Sequence, residues 1–134
     1  DPYSVHADDF DSDGNMDLAI ASVNHVLIEV WMGSEDGTLT YSDYYSAGNG
    51  PSSICSGDLD GDGDIDLAVS NWKSLFVVIL LGDGSGTFLP SAKYRAGDGG
   101  MAVLCRDLDD DGDIDLVLAN RLSNDISVLL NETR

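Results

Sequence analysis

A chain of 134 residues is long enough for one modest domain with a real core and too short to expect two. Six Lys plus Arg against 25 Asp plus Glu give a net charge of -19, which disfavours nucleic acid and anionic membrane surfaces as partners. A hydrophobic fraction of 43% argues against disorder, no apolar run approaches a membrane helix, and the opening DPYSVHADDF has no charged-then-apolar leader, as expected of a mature or excised segment.

The first predicted strand is SVHADDF (4–10), which runs into an acidic loop, DFDSDGNMD (9–17). Then come the strands LAIAS (18–22) and VLIEVWM (26–32), the turn GSEDG, and a fourth strand, TLTYSDYYS (38–46). The same order returns as SSICSGDL (52–59), the loop DLDGDGDID (58–66), LAVSN (67–71), FVVILL (76–81), the turn GDGSG and TFLPSAKYR (87–95). It begins a third time with MAVLCRDL (101–108), DLDDDGDID (107–115), LVLAN (116–120) and ISVLL (126–130), and no fourth strand follows. Asp9, Asp58 and Asp107 stand 49 residues apart in both steps, so the repeats are 1–49, 50–98 and 99–134 of a single segment.

The middle strands are nearly continuous β-branched and aliphatic runs, as expected of strands buried on both faces. The fourth alternates with polar residues like an outer strand, and the glycine-rich joints have hairpin chemistry. Helical period is absent. Four antiparallel strands in a unit of about 40 to 50 residues is the pattern of a β-propeller blade. The expectation is therefore an all-β chain of about three blades, the third incomplete; a β-sandwich would not need so strict a period.

Each loop follows D-x-D-x-D-G-x-x-D. The candidate metal ligands are Asp9, Asp11, Asp13 and Asp17, then Asp58, Asp60, Asp62 and Asp66, then Asp107, Asp109, Asp111 and Asp115. Alternating carboxylates on a tight loop converge on one point, and Gly14, Gly63 and Gly112 permit the turn. A hard cation taking six to eight oxygens at about 2.3 to 2.6 Å fits, and four carboxylates in a flexible loop favour calcium over magnesium. By analogy with other calcium loops, Asn15, Asp64 and Asp113 contribute backbone carbonyls and the last aspartate is bidentate. An EF-hand requires Glu at position twelve between two helices, whereas this position holds Ile20, Val69 and Leu118 in strand-like runs. Three dications would cancel six of the nineteen net negative charges, and metal binding should add to folding stability.

The motifs DLDGDGDIDLAVSN, GDGSGTF and GNGPSS resemble the FG-GAP or VCBS repeat family, whose members include the calcium-binding blades of integrin alpha-subunit propellers and lectin-like propellers. The resemblance covers the whole chain. It implies structural calcium at the loop aspartates and ligands bound on loop faces or between blades. Family propellers commonly close with about seven blades in one chain. Fewer than three complete units here imply either self-assembly, with a homodimer giving six blades, or a piece of a longer propeller; assembly is the preferred expectation.

Cys55 and Cys105 have opposite parity and could meet across the second and third blades, but a disulfide needs Cα atoms within about 7 Å, and two buried free thiols are the expectation. His6 and His25 read as ordinary strand or loop residues. Trp72, Tyr41, Tyr44, Tyr45 and Tyr94 could form a sugar-stacking platform, although packing is the plainer role. Asn131-Glu132-Thr133 is a glycosylation sequon. No catalytic constellation stands out, so an enzyme is not expected. The functional expectation is a calcium-binding module for extracellular or cell-surface recognition or adhesion, with glycan or protein ligands. The alternative is a purely structural self-assembling subunit or a segment of a larger propeller.

Overall fold

The computed structural model describes residues 1–22 and 24–132. Val23, at the end of the first LAIASV run, and Thr133 and Arg134, which close the sequon and the chain, lie outside the described residues.

Eleven strands form three antiparallel sheets, with no helix among the described residues. The first sheet orders β1 (Pro2–Asp8), β2 (Asp17–Ser22), β3 (Leu27–Gly33) and β4 (Leu39–Ser46) as neighbours in sequence. The second does the same with β5 (Pro51–Gly57), β6 (Asp66–Asn71), β7 (Phe76–Gly82) and β8 (Phe88–Arg95). The third holds β9 (Gly100–Arg106), β10 (Asp115–Asn120) and β11 (Asp125–Leu129). Each sheet is one repeat, and the predicted strands all appear within a few residues of their expected ends. Sheets pack face on face in chain order, and the first strands β1, β5 and β9 lie closest to one another. The sheets thus splay outward from their first strands like propeller blades.

Two cores lie in the two seams. Ala19, Ala21, Ile28, Val30 and Tyr45 of the first sheet meet Ile54, Leu67, Val69, Val78, Leu80 and Phe88 of the second. On its other face the second sheet offers Cys55, Ala68, Val77 and Ile79 to Val103, Leu116 and Leu118 of the third. The middle sheet is covered on both sides, and every residue of β6 is buried. That double burial is why its sequence alternates so little. By contrast β4 and β8, on the rim, are mostly exposed.

The expectation of two free thiols is overturned: Cys55 and Cys105 form a disulfide, with Cα atoms 5.7 Å apart, joining the first strands of the second and third blades. Their separation is 50 residues, one more than the repeat, because facing positions across a seam are offset by one. The same offset at the first seam brings His6 Nε2 to 2.7 Å from Ser56 Oγ. His6 is the repeat equivalent of Cys55, and Ser56 of Cys105. One seam is therefore covalent where the other is hydrogen-bonded. Ser56 Oγ donates its proton to Asp8 Oδ2, so His6 Nε2 must be the donor in its own bond to Ser56. Burial lowers the His6 pKa below its ordinary value, with Asp8 opposing.

A cross-link between residues 50 apart restricts the unfolded chain by about 4 kcal/mol in the loop-entropy model. Cys55→Ala/Cys105→Ala is accordingly expected to lose roughly 2–4 kcal/mol in urea unfolding, with the strand signal in circular dichroism retained before the transition. An unchanged midpoint would show that the bridge contributes nothing to stability.

Candidate metal centres

The three acidic loops join the first strand to the second in each blade: β1 to β2, β5 to β6, and β9 to β10. Their backbones share one course. Gly14, Gly63 and Gly112 have φ of 91°, 95° and 98°, in the left-handed region where a side chain is strained. A Cβ there would meet nothing within 4 Å, so conformation rather than space demands glycine. The fourth loop position is also left-handed at Ser12, Gly61 and Asp110, with φ of 58°, 83° and 61°, and only the middle loop uses glycine for it.

The first aspartate of each loop is tied back by amides from the turn. Asp9 accepts from Asp13 N at 3.0 Å and Gly14 N at 2.9 Å; Asp58 accepts from Gly61 N at 2.7 Å and Gly63 N at 3.0 Å; Asp107 accepts from Gly112 N at 3.0 Å. The third accepts from the residue two further on: Asp13 from Asn15 N, Asp62 from Asp64 N, and Asp111 from Asp113 N. These bonds set the carboxylates around a common point. Single oxygens of Asp9, Asp11 and Asp13 lie within 4.8 Å of one another, as do those of Asp58, Asp60 and Asp62, and those of Asp107, Asp109 and Asp115.

The ninth-position aspartates do something more than the sequence reading assigned. Asp17, Asp66 and Asp115 are almost wholly buried, and both oxygens of each accept a backbone N–H. One comes from the second loop residue: Phe10 N at 2.8 Å, Leu59 N at 2.7 Å and Leu108 N at 2.8 Å. The other comes from the end of the third strand or just beyond: Gly33 N at 2.7 Å, Gly82 N at 2.8 Å and Asn131 N at 2.8 Å. Each oxygen retains a second lone pair, so the latch and a bidentate metal bond are compatible. A Cβ on Gly33 or Gly82 would lie 2.2 Å from the carbonyl oxygen of Met16 or Ile65, which explains these in-register glycines.

The electrostatics follow the crowding. Loss of water contact raises the Asp11 and Asp109 pKa values, and neighbouring aspartates add to this. Burial raises that of Asp66 against the pull of the Gly82 and Leu59 amides, while hydrogen bonds from Asn15 lower that of Asp13. In the third loop Asp107 Oδ1 is buried with no hydrogen-bond partner among the described residues. A cation held by the loop would supply the counter-charge that oxygen lacks. The donor set therefore fits a hard dication: carboxylates from the loop and, by the loop's course, the carbonyls of Asn15, Asp64 and Asp113. The Asp64 carboxylate itself packs against Gly84 of the β7–β8 turn.

The other candidates scatter. Tyr45 is in the first seam, Tyr41 stacks edge-on against Trp31 at 5.5 Å, and Trp72 lies beneath Lys73 Nζ at 4.7 Å. Tyr44 and Tyr94 are exposed on β4 and β8. His25 sits in the β2–β3 turn. Asn131 Nδ2 donates to Leu59 O at 2.8 Å and Ile114 O at 3.3 Å, and a glycan on this amide would leave a single N–H for the two.

A family model described as an FG-GAP-like repeat matches the chain twice, over residues 9–69 and 58–118. Among solved structures, the crystal structure of BBS1N in complex with ARL6DN, soaked with lead, aligns at 15% identity and a TM-score of 0.43. That alignment covers 96% of this chain and 56% of the other, so the chain spans just over half its length. No curated protein matches the chain.

Asp66→Asn removes one acceptor from a buried pair of charge-assisted bonds and turns an amide N–H toward a backbone N–H. The expected loss is about 3 kcal/mol or more in chemical unfolding, far beyond that of Asp62→Asn on the exposed side of the same loop. Equal losses for the two variants would dismiss the latch.

Proposed function

We propose that this chain, which belongs to the FG-GAP-like repeat family, is a calcium-binding β-propeller repeat module serving recognition or adhesion outside the cell, with glycans or proteins as its ligands. The observation that carries the reading is the threefold convergence of carboxylate oxygens at one spacing, with an Asp107 oxygen that is buried and has no hydrogen-bond partner among the described residues. Bound calcium supplies the counter-charge. Asp9, Asp11, Asp13 and Asp17, with the Asn15 carbonyl, would hold the first ion, and the equivalent residues of the other loops the second and third. An extracellular setting is supported by the disulfide, since such bonds persist in oxidising compartments, and by loops that need free calcium to offset their charge.

A second reading, a self-assembling structural subunit, has its own support. The first blade's outer face leaves Val5 63% exposed and the third blade's leaves Leu104 56% exposed, the latter beside Ile126 and Val128. These two faces are the repeat equivalents of surfaces that pack together inside the chain. Copies joining head to tail would bury them by the geometry of the existing seams, and two copies would supply six blades.

Thermal unfolding separates these elements. Calcium at a hundredfold excess over its dissociation constant should stabilise by about 2.7 kcal/mol per independent site, with magnesium giving less and Asp60→Asn removing one site of the three from a calcium titration. A melting midpoint identical in calcium and in EDTA would falsify the metal reading. Binding to a glycan array or a protein partner that chelator abolishes is expected for the recognition module. For assembly, mass in solution with calcium should exceed the monomer, and Leu104→Asp should return it to 14.2 kDa. A wild-type monomer in both conditions removes the second reading.

A further inference from the structure

The acidic loops face two ways. Aspartates at alternate positions gather at the metal centres, while apolar residues between them enter the seams. Phe10, second in the first loop, is buried and meets Phe88 of the second blade edge-on at 5.4 Å. Ile65, eighth in the second loop, packs against the same core from the other side. The first seam is thus closed by residues of both loops that border it. At the second seam Leu59, second in the middle loop, packs against the core, and Ile114, eighth in the third loop, lies against Gly57, where an added Cβ would come within 3.3 Å of its Cγ2.

These contacts reach the ligands themselves. Phe10 and Leu59 are the residues whose amides hold the buried Asp17 and Asp66, and each stands between two aspartates of its metal centre. Asp11 lies beside Gly86 of the β7–β8 turn in the next blade, its Cβ 3.9 Å from where a Cβ on that glycine would be. Gly57 immediately precedes Asp58, and Ile114 immediately precedes Asp115. Asn131 ties two loops at once: its Nδ2 donates to Leu59 O of the middle loop and Ile114 O of the third, while its backbone N donates to Asp115 Oδ1. A movement of either loop is therefore felt at the other.

We propose that the calcium sites of neighbouring blades are coupled through the seams, each filled site raising the affinity of the next. Ordering one loop around its ion sets that loop's seam residues, and the adjoining loop then has less freedom left to lose when it binds its own. The inference rests on the calcium reading above. The middle loop borders both seams and so governs the other two sites. Its sign is diagnostic, because charge alone acts the other way: a dication in one loop weakens the negative potential that attracts the next. The sites therefore fill together over a narrow range of calcium, and the blades lock as one body rather than one at a time.

Gly14, Gly63 and Gly112 each donate their N–H to the first aspartate of their own loop, so their amide resonances report the three sites separately. The whole chain is titrated with calcium at about 0.15 M ionic strength, where charge effects beyond about 8 Å are largely screened. All three resonances are expected to move with a common midpoint and a Hill slope above 1. Asp60→Asn should raise the midpoints of Gly14 and Gly112 by about fivefold or more, although neither of their loops is altered. In an Asn131→Ala background, which keeps every loop carboxylate, that rise should shrink for Gly112 and persist for Gly14. Unit Hill slopes in the wild type, or Gly14 and Gly112 midpoints that Asp60→Asn leaves unmoved, would overturn the coupling and leave the calcium reading standing. Three glycine resonances indifferent to calcium at about 10 mM, above the range of weak extracellular sites, would overturn both.

Discussion

Everything in each blade hangs on one buried carboxylate. Asp17, Asp66 and Asp115 accept from two backbone amides that are far apart in sequence, one at the start of the acidic loop and one at the end of the third strand. A carboxylate without such donors would be costly in that position, and the amides would be unsatisfied at a strand end. Joining them fixes where the loop leaves the first strand, where it enters the second, and how the third passes beneath it. The remaining aspartates can then crowd on the exposed side of a loop whose base is rigid.

The seams show how the repeats become one body. The seam-facing residues of the second strands include Ala19, Ala21 and Ala68, which let sheets approach closely, while longer side chains such as Ile28, Val30, Val77 and Ile79 fill the space further out. Polar ties add direction: Ser52 Oγ donates to Gly100 O at 2.6 Å across the second seam, and Ser53 Oγ accepts from Val103 N at 3.3 Å. Because facing positions are offset by one residue from the repeat, each seam joins unlike members of the repeat. The chain can therefore vary one partner without disturbing the equivalent site in the next blade.

The blades and their acidic loops were legible because burial on two faces, hairpin glycines and alternating carboxylates all leave local marks, and a 49-residue period repeats each of them. What escaped the sequence was relational. The ninth aspartate looks like one more ligand, and only the fold reveals its grip on Gly33, Gly82 or Asn131. The disulfide was visible as a parity argument for Cys55 and Cys105, yet the choice between bridge and thiols needed the one-residue seam offset. His6 and Ser56 obey the same offset, and that pair was the overlooked signal.

The two seams also differ in how they would carry load. Between the second and third blades the first strands are stapled by a bond that does not extend under biological forces. Between the first and second the equivalent point is held by His6 and Ser56, a contact that yields. A force that parts the first strands would thus open the first seam before the second, so the asymmetry sets the order in which the two seams fail.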